Sequence, residues 1–225
     1  MKNPAARHFM KIGPFSFLFA SILSTALAFK DFADKPACAI SLAKLNVFYI
    51  GVDNPVTIIV RGVPAEQVVA SAKGLTIQKK DGDDYSIQAG TPGESSITVS
   101  GGNMPPATFK YRVKRIPDPV PLLGAQHRSG SIGNGAFKAA EGIAAILENF
   151  DFDARCEVAG YEITRLAKQE DAVTMKNSGA RFNSQAKDLV FKAKPGDSYF
   201  FDDIKVLCPG DAAARNVGGL AFRIR

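Results

Sequence analysis

Between residues 37 and 116 the chain breaks into short apolar runs about ten residues apart, and no segment of helical period interrupts them. The runs are ACAISLA (37–43), NVFYI (46–50), PVTIIV (55–60), EQVVAS (66–71), LTIQKK (75–80), DYSIQA (84–89), SSITVS (95–100) and ATFKYRVKRI (107–116). Gly, Pro, Asn and Asp separate them, and several alternate apolar with polar residues. Runs this short, at this spacing, predict an antiparallel β-sandwich. Asp81-Gly82 is a hairpin-turn dipeptide. The break GVDNPV (51–56) reads as a strand-to-strand corner. Pro55 drives Asn54 out of the helical region, and the side chain of Asp53 or Asn54 can close an Asx-type turn on its own backbone.

RIPDPVPLLG (115–124) reads as an extended inter-domain linker. Pro117, Pro119 and Pro121 stiffen it and cannot donate to a ladder. Such a linker fixes the pose of two domains better than a Gly/Ser one. In AFKAAEGIAAILENF, Phe137, Ala140, Ala144 and Leu147 recur at helical spacing, with Lys138, Glu141 and Glu148 on the other side. This predicts one amphipathic helix capped by Asn134 and weakened at Gly142 by about 1 kcal/mol. Strands are expected again in ARCEVAGYEITRL (154–166), DAVTMKN (171–177), DLVFKA (188–193), YFFDDIKVLC (199–208) and GLAFRIR (219–225). Imperfect alternation in CEVAGYEI means either that both faces are partly covered or that a bulge intervenes at Gly160. The expected fold is all-β: two tandem antiparallel β-sandwich domains over 29–117 and 118–225, the second with one short α-helix.

Residues 1–28 read as a separate object. Lys2, Arg7 and Lys11 precede an apolar stretch from Phe15 to Ala28 that ends Ala26-Leu27-Ala28, the pattern of a secretory signal peptide. A membrane span needs roughly 20 apolar residues, and this stretch is shorter and dotted with Ser and Thr. Cleavage would lower the net charge from +6 to about +3, and nucleic acid is not an expected partner of an exported chain with mixed charges. Export permits disulfides. With three cysteines, Cys38, Cys156 and Cys208, at most one intrachain bridge forms. Cys156 and Cys208, both in the C-terminal half, are the candidate pair.

No catalytic constellation emerges. Beyond the leader the chain has a single histidine, His127, in the loop LLGAQHRSGSIG. Ser129 and Ser131 are near it, but no nucleophile elbow is present, so His127 reads as a solvated loop residue. Cys38 lies in a strand-like run, where free cysteines are packing residues. One histidine and scattered cysteines give no zinc spacing. DGDD (81–84) lacks the register of a calcium loop and reads as a hairpin tip. Asp202 and Asp203, adjacent in a strand, point to opposite faces, and Asp151 and Asp153 sit at a turn. No cofactor and no small-molecule substrate are expected. YRVKR (111–115) places Arg112 and Lys114 on one strand face with Arg115 beside them, a candidate patch for an acidic partner.

Four blocks, KLNVFYIGVDNPVTIIVRGVP, FKYRVKRIPDPV, NFDFDARCEVAGYEI and IKVLCPGDAAARNVGGLAFRIR, resemble in order the C-terminal half of the GldM (PorM) family of gliding motility and type IX secretion. The resemblance covers essentially all of the chain after the leader. It implies two Ig-like domains, the family's third and fourth, and no enzymatic activity. It implies a protein partner in the cell envelope, among outer-membrane ring or shaft components, a homodimer, and a periplasmic location with outer-membrane association. The cysteines Cys156 and Cys208 fall in two of the resembling blocks, and a bridge between them would contribute roughly 2–4 kcal/mol. With the leader running almost directly into the third domain, the expected role is that of an accessory, exported, non-enzymatic interaction module that docks through strand edges. The alternatives are a cell-surface adhesin, or a ligand-binding or hydrolase module with His127 and Asp151 or Asp153 in one deep cleft.

Overall fold

In β-strand order, the first part of the chain forms β1 (Cys38–Leu42), β2 (Val47–Tyr49), β3 (Asn54–Val60), β4 (Val69–Lys73), β5 (Leu75–Lys79), β6 (Asp84–Ala89), β7 (Gly93–Gly101) and β8 (Met104–Lys114). The computed structural model describes residues 37–42 and 46–225, and the leader expected over 1–28 lies outside them. One sheet runs β1-β3-β6-β5 and the other β2-β8-β7-β4. Every pairing is antiparallel except that of β2 with β8. Alternation decides which side chains enter the core. In β3, Val56, Ile58 and Val60 are buried while Pro55 and Ile59 face out. They meet Phe48, Ile97, Val99 and Tyr111 from the other sheet in one apolar cluster. Cys38 packs at its edge, half-buried and unbridged, and burial raises its thiol pKa.

The remainder forms β9 (Val120–Leu123), β10 (Gly130–Ile132), α1 (Asn134–Ala139), β11 (Ile143–Ile146), β12 (Glu157–Leu166), β13 (Val173–Ser178), α2 (Ser184–Phe191), β14 (Ser198–Leu207), β15 (Arg215–Asn216) and β16 (Leu220–Ile224). The main sheet runs β10-β16-β14-β12-β13, with β15 on β14 and β10 parallel to β16. β9 and β11 pair separately and, with both helices, form the second layer. Leu123, Phe137, Ile143, Leu189 and Val190 from that layer pack on Ile163, Tyr199, Phe201 and Phe222 of the sheet. The whole is all-β, two Ig-like antiparallel sandwiches in tandem.

Several expectations change. EQVVAS opens in a 3-10 turn at Ala65–Gln67 before β4, and Asn134 is the first residue of α1 with no side-chain cap bond, Gly133 standing at the cap position. The extended linker is shorter than 115–124, because residues 120–123 are strand β9. Pro121 is tolerated there opposite Ala145, at a position that needs no donated hydrogen bond. The helix expected over AFKAAEGIAAILENF stops at Ala139, and Ile143–Ile146 is strand. Gly142 is the cause: a Cβ there, at φ 153, would stand 2.1 Å from Ala180 O. The backbone approaches another segment too closely for a helix to continue. The expected strand DLVFKA falls on the end of α2 and the turn after it, so there are two α-helices among the described residues. Asn183 caps α2 by accepting from Ala186 N at 2.8 Å. Ala186, Leu189, Val190 and Ala193 are buried at helical spacing.

Of the two readings of CEVAGYEI, the bulge at Gly160 is present as a register shift between β12 and β14, and a second shift follows it. The second is the extra residue Asp203, at φ 49, so Phe201 and Ile204 are buried while Asp202 and Asp203 are both exposed. Strict alternation therefore does not separate that carboxylate pair. Cys156 and Cys208 are disulfide-bonded across 52 residues of chain. Reduction is expected to remove about 3 kcal/mol of stability through the freed loop entropy. Urea midpoints measured with and without a phosphine reductant check this, and coincident curves would refute it.

Candidate functional site

The GVDNPV corner organises the joint between the sandwiches. Asn54 is 2 % exposed. Its Oδ1 accepts from Tyr49 N at 2.8 Å, and its Nδ2 donates to Tyr49 O (2.9 Å), Val52 O (3.1 Å) and Ile87 O (3.1 Å). The expected Asx closure thus belongs to Asn54 and reaches back to Tyr49. The Asp53 carboxylate accepts from Ser86 Oγ. The corner so fixed presents Tyr49 to Phe150 and Phe152, with centroids at 4.9 and 5.2 Å. Val52 packs against the second core. Gly51, at φ 80, lies so close to the Pro209-Gly210 turn that a Cβ would be 2.3 Å from Gly210 N. Arg215 closes the other side: Nη1 donates to Ile116 O (2.9 Å) and Asp118 Oδ1 (2.8 Å), and Nε lies 3.1 Å from Asp211 Oδ2. Asp211 in turn accepts from Cys208 N. The corner is a structural joint, clamped on two sides.

Arg112 and Lys114 are exposed on the outer face of β8, and Arg115 is exposed just beyond its end. Sequence reading missed two neighbours. Lys110 continues the same alternation. Lys73 reaches the face only through register, since Ser96 lies opposite both Lys73 and Lys110. Glu94 lies opposite Arg112. Among the described residues, none of Lys73, Lys110, Arg112, Lys114 and Arg115 is held in an ion pair. The outer strands of this sheet, β2 and β4, each have one ladder partner.

The residues weighed for catalysis do not come together. Ser129 Oγ accepts from Ala221 N, and Ser131 Oγ donates to Arg223 O. His127 lines a groove of about 660 Å³ with Glu141 and Arg181, and neither Asp151 nor Asp153 lines it. Asp151 and Asp153 are exposed in the connection from β11 to β12. Asp203 pairs with Lys205 at 3.0 Å and accepts from Asn216 Nδ2, and the hydrogen bond from Lys205 lowers its pKa. Asp84 in the DGDD tip accepts from Thr57 Oγ1. Among the described residues no three His, Cys, Asp or Glu side chains converge to hold a metal.

Two broad hollows lie along β11. The groove of about 660 Å³ and a second of about 650 Å³ share Ile143, Ala144 and Ala180. A third basin of about 270 Å³ adjoins the first and is rimmed by Lys138, Arg181, Lys187 and Phe191. Phe191 is 54 % exposed.

A family model of the GldM third domain matches residues 37–114, and one of the GldM C-terminal domain matches residues 105–225. No curated protein matches the chain. Among solved structures, the ZirS C-terminal domain is similar at 13 % identity and TM-score 0.26, over 51 % of this chain and 86 % of that one. The Yersinia pseudotuberculosis adhesin InvE is similar at 12 % identity and TM-score 0.27, over 84 % of this chain and 60 % of that one. Domains 6–7 of the surface layer protein SbsC are similar at 10 % identity and TM-score 0.28, over 83 % and 97 %. These TM-scores are too low for the likenesses to bear on function.

Proposed function

This chain belongs to the GldM family, cell-envelope components of gliding motility and type IX secretion, and from that premise we propose that it is a non-enzymatic protein–protein interaction module, accessory to such an assembly. It acts in the periplasm as an exported homodimer, with 29–117 and 118–225 as its two working domains. Its partner is a ring or shaft protein at the outer membrane. The observation that carries this reading is the outer face of β8. Lys110, Arg112 and Lys114 line up there, with Lys73 across the sheet and no ion pair on any of them among the described residues. Unpaired cations on a sheet with open edges suit an acidic protein surface, because complementary charge steers encounter and fixes register.

The test is crosslinking in the native host, comparing the wild-type chain with the triple variant Arg112→Glu, Lys114→Glu, Arg115→Glu. All three residues are exposed, so the variant is expected to keep its melting midpoint. It is expected to lose its crosslinks to type IX ring or shaft components. Retention of those crosslinks by the variant, or their absence from the wild type, would overturn the reading.

A further inference from the structure

Among the described strands, β11 pairs in a ladder with β9. Its opposite edge is closed at the first residue, where Ile143 N–H donates to Ala180 O at 2.9 Å beside the bridge between Gly142 and Arg181. Backbone groups alternate sides along a strand, so Ala145 N–H, two residues on, faces that same side. Across the ladder from Ala145 stands Pro121, which has no N–H to offer. The backbone of Ala145 therefore looks outward, over the two grooves that meet at Ala144 and Ala180. Alanine is the commonest lining residue of the first groove, with Ala136, Ala139 and Ala140 among them, while Ile146, Leu147 and Phe150 give the second an apolar wall. Small side chains leave room for the side chains of another strand.

Charge marks one end of this trough. Arg181 is 85 % exposed and lies 3.5 Å from Glu141, itself 76 % exposed. Lys138 and Lys187 stand on the same rim, and among the described residues neither is in an ion pair. Three cations thus face one carboxylate, beside the exposed ring of Phe191.

We propose that β11 is a receiving edge for an extended acidic segment of a partner protein. The segment adds as a strand beside Ala145, seats small or β-branched side chains in the two apolar grooves, and lays its carboxylates over Arg181, Lys138 and Lys187. This rests on the docking reading above and adds a second contact, separate from the β8 face.

A random-peptide phage library selected on the full chain tests it. Enriched peptides are expected to carry Asp or Glu next to a run of small or β-branched residues. Ala145→Pro removes the outward N–H without breaking a β9 hydrogen bond. Arg181→Glu reverses the charge at an exposed site and is expected to fold normally. Each is expected to weaken the enriched peptides about tenfold, Ala145→Pro through a lost backbone hydrogen bond and Arg181→Glu through a lost charge-assisted one. Peptide addition is expected to slow amide exchange at Ala145. No enrichment, enrichment without acidic residues, or binding that Arg181→Glu leaves unchanged would overturn the proposal. Charge reversal at Arg112 and Lys114 is expected to leave peptide binding intact, so failure here and failure of the β8 reading are told apart.

Discussion

Replacing Asn54 by alanine is expected to remove about 4 kcal/mol of stability, because the change takes four hydrogen bonds from one buried amide and deprives the buried Ile87 carbonyl of its side-chain partner. The Asn54 amide serves the N–H and C=O of Tyr49 at the end of β2, the Val52 carbonyl in the corner and the Ile87 carbonyl in β6, its two N–H protons shared among the three carbonyls. A hydrogen bond replaced by water is a small loss. A buried group left with no partner carries its full desolvation penalty of about 1–3 kcal/mol. For a chain of this size the melting midpoint should fall by roughly 10 °C. Asn54→Asp should not rescue: it keeps the acceptor for Tyr49 N–H but turns a carboxylate toward three carbonyl oxygens. The joint should loosen with the corner, since Tyr49 and Gly51 hold the second sandwich through it. Limited proteolysis should then cut residues 115–119 faster in the variant. A loss below about 1 kcal/mol, with unchanged cleavage, would show that Asn54 does not hold the joint.

Asp197→Ala is the second large effect, expected at about 3–5 kcal/mol. Arg165 and Asp197 have side chains 6 % and 7 % exposed and lie 2.9 Å apart. Arg165 Nε also donates to Asp197 Oδ2 at 3.0 Å, and the same oxygen accepts from Lys194 N. Removing the carboxylate leaves a buried guanidinium whose remaining partner, Glu170, is 52 % exposed. Glu170→Ala should cost about 1 kcal/mol or less, because solvent screens that half of the network. The double change Arg165→Met with Asp197→Ala should recover much of the loss, since a buried pair is expensive to break and cheap to replace whole. Urea denaturation of the three proteins decides it. Equal losses for Asp197→Ala and Glu170→Ala would refute the argument.

Much of the first sandwich was legible because its signals are local. The strand runs, the Asp81-Gly82 turn and the corner at Pro55 are set by residues a few positions apart, and the alternation in FKYRVK already put Arg112 and Lys114 on one face. The cap and buried spacing of α2 were also present, in Asn183, Ala186, Leu189 and Val190. They went unread because a short apolar run such as DLVFKA fits strand and helix alike.

The amino-acid sequence by itself determined the strand-rich class, the breaks between strands, the disulfide partners as a candidate pair and the basic alternation on β8. Tertiary structure decided the rest. Gly142 ends α1 only because Ala180 O approaches it, Lys73 joins the basic face only through the register of β4, β7 and β8, and Asn54 is a staple only because Ile87 O is brought within reach. The outward edge of β11 likewise follows from its pairing with β9 and the closure at Ala180. Local propensity depends on neighbours in sequence, which a reader of the chain can see. Steric closeness and hydrogen-bond supply depend on segments far apart in sequence, and only the folded backbone brings those together.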